Sequence, residues 1–145
     1  MASSSIVIMN DLKELQRLNA FIGSLAEALS LDEYTLFQIN LACDELVTNT
    51  ISYGYPQEEA GMHTIRIDVG LVPDGWELRI TDRGVPFNPL LNPSPSVDCS
   101  LDERGIGGFG IHFVRQVMDE IRYERLYDEN IVMMKKRRAQ EEEMA

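Results

Sequence analysis

The chain has 145 residues, 44% hydrophobic and 26% charged, which is typical of one soluble globular domain and not of a disordered or membrane-embedded protein. Its net charge of −11 disfavours contact with nucleic-acid phosphates and is compatible with a basic protein partner. Cys43 and Cys99 form no CxxC motif, so a disulfide framework or zinc site is not expected. Neither a signal peptide nor a membrane-spanning run is visible, which favours a cytoplasmic protein.

A strand and a helix are predicted at the start of the chain. The apolar run at 5–9 predicts the strand. Asn10 or Asp11 then caps the helix, and Glu14 is placed to reach back to the cap. Helical spacing gives this helix one apolar stripe, formed by Leu12, Leu15, Leu18, Ile22, Leu25 and Leu29.

A second helix is predicted directly after the first. The sequence Ser30-Leu-Asp-Glu33 has the form of a capping box, which marks a helix N-terminus. We expect the helix to run to about Tyr53, because Gly54 and Pro56 end it.

Alternating polar and apolar residues then predict a β-hairpin. Its first strand has Ile65, Ile67, Val69 and Leu71 on one face, and its second strand has Trp76, Leu78 and Ile80. The turn between them is Pro73-Asp-Gly75.

The rest of the chain combines a long loop, a helix and a second hairpin. Residues 83–104 contain four prolines and no periodicity, as in a functional lid or a disordered loop; we expect a lid at about 86–106. The helix that follows has Ile111, Val114, Val117, Met118 and Ile121 on one side. The last hairpin spans about 121–126 and 131–136, and its turn is Asp128-Glu-Asn130.

This element order predicts an α+β fold. It is a two-layer α/β sandwich whose sheet is mostly antiparallel and whose helices lie on one face. We expect a single domain at 1–145, with its core at about 6–136. The basic run at 135–138 is interpreted as a strand end, and 137–145 as a frayed tail.

The first candidate site lies on the second helix, in a polar stripe made of Asp44, Glu45, Thr48, Asn49 and Ser52. Glu45 and Asn49 are four residues apart, so a carboxylate and an amide project from one helix face. The stripe is either a solvent-exposed face or part of a magnesium–nucleotide site. In the second case the amide oxygen is a ligand for Mg²⁺ and the carboxylate orients or deprotonates a nucleophile.

The second candidate is Asp82, which continues the inward phase of Trp76, Leu78 and Ile80. A carboxylate on the core side of a strand end must be hydrogen-bonded or bind a ligand. Asp82 is either a turn aspartate for Asp82-Arg-Gly84 or the group that recognises an amino group at the floor of a pocket. In that pocket, Gly84 would let a ligand ring approach the backbone.

The third candidate is the glycine run at 105–110, which has the form GxGxxG. It is no Rossmann fingerprint, because a proline-rich loop precedes it where a strand is required. It is either a tight loop-to-helix turn or an anion site made by backbone N–H groups at a helix start.

Taken in order, these motifs resemble the N, G1 and G2 boxes of the GHKL (histidine-kinase-like, Bergerat fold) ATPase superfamily. Within it the chain is most similar to the bacterial anti-sigma factors that are also serine-protein kinases. The similarity covers about 6–136, and its motifs are Ala42-Cys-Asp-Glu-Leu46 with Thr48-Asn49, Tyr53-Gly-Tyr55, Asp82-Arg-Gly-Val-Pro-Phe87, the run 107–115 and Met118-Asp-Glu120.

The resemblance implies a role for each matching residue. Asn49 would hold Mg²⁺ at the phosphates of ATP, Glu45 would be the general base, and Asp82 would accept a hydrogen bond from the adenine amino group above Gly84. The residues implied to line the phosphates are Gly105, Gly107, Gly108 and Gly110, with Arg104 as the candidate for the γ-phosphate charge. Tyr53 stands where many relatives have a basic residue or histidine, so its role stays open.

The implied activity is that of an ATP- and Mg²⁺-dependent serine/threonine protein kinase. Such a protein phosphorylates an anti-sigma-factor antagonist of the STAS type and sequesters a sigma factor. A homodimer is also expected, because the apolar run at 6–9 could supply an open edge strand. One alternative is a non-catalytic, ATP-gated interaction module. Another is a detached histidine-kinase catalytic domain, which the absence of histidine from the first 30 residues disfavours.

Overall fold

Five strands and two long helices make up most of the chain that the computed structural model describes, which is residues 3–91 and 114–137. In chain order they are β1 (Ser3–Met9), α1 (Leu15–Ala28), α2 (Glu33–Gly54), β2 (Thr64–Val72), β3 (Gly75–Asp82), β4 (Glu120–Leu126) and β5 (Glu129–Arg137). Short 3-10 turns occupy Leu12–Glu14, Gln57–Glu59 and Pro89–Leu91, and residues 114–117 are helical.

The strands form one antiparallel sheet in the order β1-β2-β3-β5-β4. One face of the sheet packs with α1 and α2 in a single hydrophobic cluster. The opposite face is polar, and Arg66 and Arg79 are exposed on it. The predicted two-layer α/β sandwich is therefore confirmed, as are both strands of the 65–81 hairpin.

The register aligns polar and apolar residues in rows on the core face. One row runs from Ile8 through Ile65 and Asp82 to Asn130. All four side chains are buried, at 5% exposure or less. The two polar members thus lie side by side at one end of an otherwise apolar face, where each needs hydrogen-bonding partners.

The start of the first helix differs from the prediction. Asp11 is the N-cap, which is one of the two predicted residues, but it caps the 3-10 turn before α1. Its carboxylate accepts a hydrogen bond from Lys13 N. Asn10 does not cap the helix. Its buried side-chain amide donates to the Glu59 carbonyl and accepts from His63 N. Leu12 lies in the turn and is exposed, so the buried stripe begins only after it.

The cap of α2 also differs from the prediction. Asp32, not Ser30, is the N-cap, and its carboxylate accepts from Thr35 N at 2.7 Å. Ser30 has a positive φ of 54° in the link between the helices, so it is not in the extended conformation that an N-cap adopts. The predicted end of α2 is correct to within one residue.

Two predictions near the C-terminus are wrong. Ile121 is predicted both on the helix and in the hairpin strand; the strand is confirmed and the helix position is wrong, because the helix has ended by Met118. The β4–β5 turn lies at 127–128, where Tyr127 has a φ of 58°, so Asn130 is a strand residue that faces the core.

The basic run at the end of β5 pairs with acids from two other places in the fold. Lys135 Nζ lies 3.0 Å from Asp74 in the β2–β3 turn, and Arg137 binds Glu120 at 2.9 Å. The interpretation of this run as a strand end is therefore confirmed as far as Arg137. The tail is predicted to begin at Arg137, which is wrong for that residue because it ends β5; residues 138–145 lie outside the described part of the chain, as does most of the predicted lid.

The outer edge of β1 is partly closed by side chains of the 3-10 turn and of the first turn of α1. Arg17 donates to the Val7 carbonyl at 2.8 Å, and Glu14 accepts from Met9 N at 3.0 Å. Arg17 and Glu14 also form an ion pair. Among the described helices, none is long and apolar enough to cross a lipid bilayer.

Candidate functional site

Two buried polar side chains on α2 form the first part of the site. Glu45 is 8% exposed and Asn49 is 4% exposed, so neither belongs to a solvent-exposed stripe. Asn49 Nδ2 donates to Glu45 Oε1 at 3.3 Å. Ser52 of the same predicted stripe is exposed, which shows that the helix divides these polar residues between two environments.

Burial changes the acidity of Glu45. Loss of hydration on burial raises the pKa of its carboxyl to about 7. The hydrogen bond from Asn49 lowers this pKa, and the nearby charge of Asp44 raises it further. A carboxyl with this pKa exists in both protonation states near neutral pH, which suits a group that accepts a proton during a reaction.

Asn49 offers an oxygen suited to a hard cation. Its Nδ2 is bound to Glu45, and no residue in 3–91 or 114–137 donates to its Oδ1. Amide oxygens are ligands of the kind that Mg²⁺ accepts, together with phosphate oxygens and water. The residues present therefore fit a magnesium ion held between Asn49 and a bound phosphate.

Asp82 forms the second part of the site at the end of β3. Its Oδ2 accepts from Gly84 N at 2.8 Å, from the Tyr55 hydroxyl at 3.1 Å and from Asn130 Nδ2 at 3.4 Å. No described residue donates to Oδ1. The bond to Gly84 shows that Asp82 is a turn aspartate, and the second oxygen is still available to a ligand.

The pKa of Asp82 is raised because burial removes its hydration. Hydrogen bonds from Gly84, Asn130 and Tyr55, together with the positive charge of Arg125, oppose this change. The same burial and the charge of Asp82 raise the pKa of Tyr55, so that its hydroxyl stays a donor. The network thus favours a carboxylate that accepts hydrogen bonds.

Gly84 lies directly against the end of α2. A Cβ at this position would meet the Gly54 carbonyl oxygen at 2.3 Å and Asp82 Oδ2 at 2.9 Å. Val85 N donates to the same carbonyl at 2.9 Å. Glycine is therefore needed at 84 because the end of α2 leaves no room for a Cβ. This reason is independent of the predicted approach of a ligand ring.

These contacts place the two parts of the site along one helix. Gly54 contacts Gly84 and Asp82, and at about 1.5 Å per residue Asn49 lies about 7.5 Å and Glu45 about 13.5 Å further back along the α2 axis. Measured along the axis of α2, the order of the three side chains is therefore Asp82, Asn49 and Glu45.

The other predicted site residues lie outside the described part of the chain, and their roles stay predictions. They are Arg104, Gly105, Gly107, Gly108 and Gly110. Tyr53, whose role was open, is 56% exposed and packs against Phe87 with ring centroids 5.3 Å apart.

Two site residues were missed from the sequence. Asn130 and Arg125 come from β5 and β4 and bind the segment that follows Asp82. Asn130 has a usable signal, because it shares the inward phase of Val132 and Met134, but the sequence Asp-Glu-Asn predicts a turn there. Arg125 had none, because its hydrogen bond to the Gly84 carbonyl depends on the strand order.

Comparison with known proteins finds similarity to protein kinases. Serine-protein kinase RsbW of Oceanobacillus iheyensis is 27% identical over 122 residues, which cover 79% of this chain and 73% of that protein. Serine/threonine-protein kinase BtrW of Bordetella bronchiseptica is 32% identical over 91 residues, which cover 61% of each chain.

A solved structure shows the same fold. The RsbU and RsbW domains of Rv1364c from Mycobacterium tuberculosis match with a TM-score of 0.65 at 14% identity, over 94% of this chain and 32% of that one. Residues 8–136 match the family model of the histidine kinase-like ATPase domain. Because this match covers most of the sequence, the chain belongs to the histidine kinase-like ATPase domain family.

Proposed function

We propose that this protein is an ATP- and Mg²⁺-dependent serine/threonine protein kinase that acts as an anti-sigma factor. Its substrate would be an anti-sigma-factor antagonist of the STAS type, and in the absence of that engagement it would sequester a sigma factor. Relatives named as serine-protein kinases support the kinase activity. The partners follow from the resemblance of the motifs to anti-sigma-factor kinases.

The observation that supports the kinase best is the order, measured along the α2 axis, of three buried polar groups, of which two lie on α2 and one at the end of β3. Asp82 at one end is an acceptor for a base amino group, Asn49 in the middle is a ligand for a phosphate-bound cation, and Glu45 lies furthest from Asp82. A nucleoside triphosphate bound in this direction would place its γ-phosphate near Glu45.

The chemistry assigned to Glu45 is proton removal. A serine hydroxyl oxygen of the partner protein bonds to the γ-phosphorus, the bond to the β–γ bridging oxygen breaks, and ADP leaves. Glu45 accepts the hydroxyl proton, which burial of its carboxyl favours. Mg²⁺, when bound, would offset the negative charge of the phosphates, and Asn49 would hold it there.

The test compares Glu45→Ala and Asn49→Ala. General-base assistance contributes about 10²–10⁴-fold to a rate, so Glu45→Ala should transfer phosphate at least about 100 times more slowly while binding ATP nearly normally. Asn49→Ala should lose metal-dependent ATP binding. Transfer is followed with labelled ATP and lysate, and binding is measured by calorimetry. Ser52→Ala, which changes an exposed residue of the same helix, is the matched control and should give near-normal rates and affinities.

Two results would contradict the proposal. If the wild type transfers phosphate to no protein and Glu45→Ala changes only stability, the carboxylate is structural. ATP binding without transfer would then favour the interaction module. If the wild type labels a histidine in its partner and not a serine or threonine, the histidine-kinase alternative is correct.

A further inference from the structure

Asn130 is a buried amide, 3% exposed, directly opposite Asp82 in the sheet. Its Nδ2 donates to the Val85 carbonyl at 2.9 Å and, at 3.4 Å each, to the Gly84 carbonyl and Asp82 Oδ2. Its Oδ1 accepts from Phe87 N at 3.3 Å and from the Tyr123 hydroxyl. A primary amide has two N–H donors and two acceptor positions. The three acceptors therefore share two N–H groups, and the two donors use both acceptor positions.

The segment that Asn130 binds is held largely by side chains, apart from the bond of Val85 N to the Gly54 carbonyl. Residues 84–87 belong to no helix or strand, and three of their polar backbone groups bind this one side chain: the carbonyls of Gly84 and Val85 and the amide of Phe87. Buried backbone groups need partners, so removal of the amide would leave this segment free to change conformation. Arg125 supports only the Gly84 carbonyl, at 2.8 Å.

We propose that Asn130 is a positioning residue of the nucleotide site, which fixes Asp82 and the 84–87 backbone in the geometry that distinguishes adenine from guanine. This inference rests on the proposed binding of ATP by Asp82. Because Asn130, Tyr55 and Gly84 all donate to Oδ2, the carboxylate is held in one orientation with Oδ1 directed to the ligand. Loss of one of these donors loosens that orientation and with it the selection of the base.

The first experiment uses Asn130→Ala. ATP affinity should fall about tenfold or more, and GTP affinity should fall less, so that the ATP-to-GTP ratio decreases. Hydrogen exchange of the Phe87 amide should become faster in the protein without nucleotide. Calorimetry gives the affinities, and mass-spectrometric or NMR exchange gives the protection.

Asn10→Ala is the matched control. Asn10 is also a buried asparagine, 1% exposed, whose amide binds a loop backbone, at Glu59 and His63. This variant should lose comparable stability and keep the wild-type ATP-to-GTP ratio. The comparison separates positioning of the site from general destabilisation.

Asn130→Asp provides a second test if the alanine variant does not fold. A carboxylate cannot donate, and it adds a negative charge next to Asp82, so ATP affinity at pH 8 should be lower than in the wild type by more than tenfold. As the pH falls, the two carboxyl groups share a proton and a donor returns. ATP affinity of this variant should therefore recover toward pH 5.5, and that of the wild type should not.

Three results would overturn the inference. Asn130→Ala could bind both nucleotides as the wild type does, or lose ATP and GTP affinity equally. Asn130→Asp could show no recovery at lower pH. A wild type that binds no ATP would instead overturn the proposed function together with this inference, so the two failures are distinguishable.

Discussion

The two oxygens of the Asp82 carboxylate have different surroundings. Oδ2 accepts from three protein donors, whereas no described residue donates to Oδ1. Adenine presents an amino group at the position where guanine has a carbonyl oxygen. A buried acceptor opposite another acceptor is left unpaired, so the site should bind ATP in preference to GTP by a factor of about ten or more.

Asp82→Asn tests this selectivity. The side-chain oxygen can keep the bonds at Oδ2, so the fold should persist, but an N–H group replaces Oδ1 and opposes the adenine amino group. ATP binding should weaken at least about tenfold in calorimetry. Asp68→Asn, on the exposed sheet face, is the control and should bind normally. Equal binding of ATP and GTP by the wild type would show that Asp82 does not recognise the base.

Glu45 should make both activity and stability depend on pH. Its pKa rises from 4.5 to about 7 on folding, so below pH 4.5 the carboxyl is protonated in both states and its full contribution to stability is present. Between pH 4.5 and 7 the unfolded chain ionises first, and stability falls as the pH rises. Phosphate transfer should increase over the same range, because the ionised carboxylate is the base.

Glu45→Gln removes this titration. Relative to the variant, the free energy of unfolding of the wild type should fall by at most about 3 kcal/mol between pH 4.5 and pH 8. Urea unfolding at several pH values measures this difference. A difference between wild type and variant that does not change with pH would show that Glu45 titrates normally. The rise of the transfer rate near pH 7 should also be absent from the variant.

The sequence located Asp82, Glu45 and Asn49 because each breaks a local pattern. Asp82 is a charge at an inward strand position, and the other two form a polar pair on a mostly apolar helix. Asn130 breaks a pattern in the same way, but Asp and Asn are typical turn residues, so Asp-Glu-Asn predicts a turn and hides this signal. The contact of Gly84 with Gly54 could not be predicted, since it depends on how α2 meets the sheet.

The periodicity of the sequence predicts the helices and strands, but it does not predict where they begin and end. Ser30 and Asp32 are both good N-cap residues, and only the backbone conformation decides between them. Leu12 has helical spacing with the stripe of α1, yet a 3-10 turn rotates it into solvent. Ile121 fits either the helix before it or the strand that contains it, because one apolar residue satisfies both periods.

One added methyl group at the contact between the end of α2 and the loop after β3 should reduce both stability and ATP affinity. In Gly84→Ala the new Cβ would meet the Gly54 carbonyl at 2.3 Å, so the helix end or the loop must move. We expect a loss of about 1–3 kcal/mol in stability and a larger than tenfold loss of ATP affinity, since Asp82 moves with the loop. Denaturant unfolding and calorimetry measure both.

Gly54→Ala is the matched control on the other side of this contact. Its Cβ would lie 3.8 Å from the nearest atom, an ordinary contact distance, so this variant should keep its stability and its ATP affinity. If Gly84→Ala binds ATP as well as Gly54→Ala does, the close approach does not position Asp82.

The two edges of the whole sheet are unlike. At one edge, β4 alternates charged residues, with Glu120, Arg122 and Glu124 along the strand. Charges on an edge strand oppose pairing with another sheet. At the other edge, β1 has no charged residue, but Arg17 and Glu14 already bind its outward backbone groups at Val7 and Met9. Only the first half of β1 is left open by these two contacts.

The proposed homodimer should therefore depend on the first half of β1. In antiparallel pairing outward groups alternate, so Ser5 turns its N–H the same way as Val7 and Met9 turn theirs. Ser5→Pro removes this donor and should give a monomer in light scattering at concentrations on the order of tens of micromolar, with ATP binding unchanged. Arg17→Ala frees the Val7 carbonyl and should strengthen the dimer. If the wild type is a monomer and only Arg17→Ala associates, the ion pair closes the edge in the native protein, and the homodimer proposal is wrong.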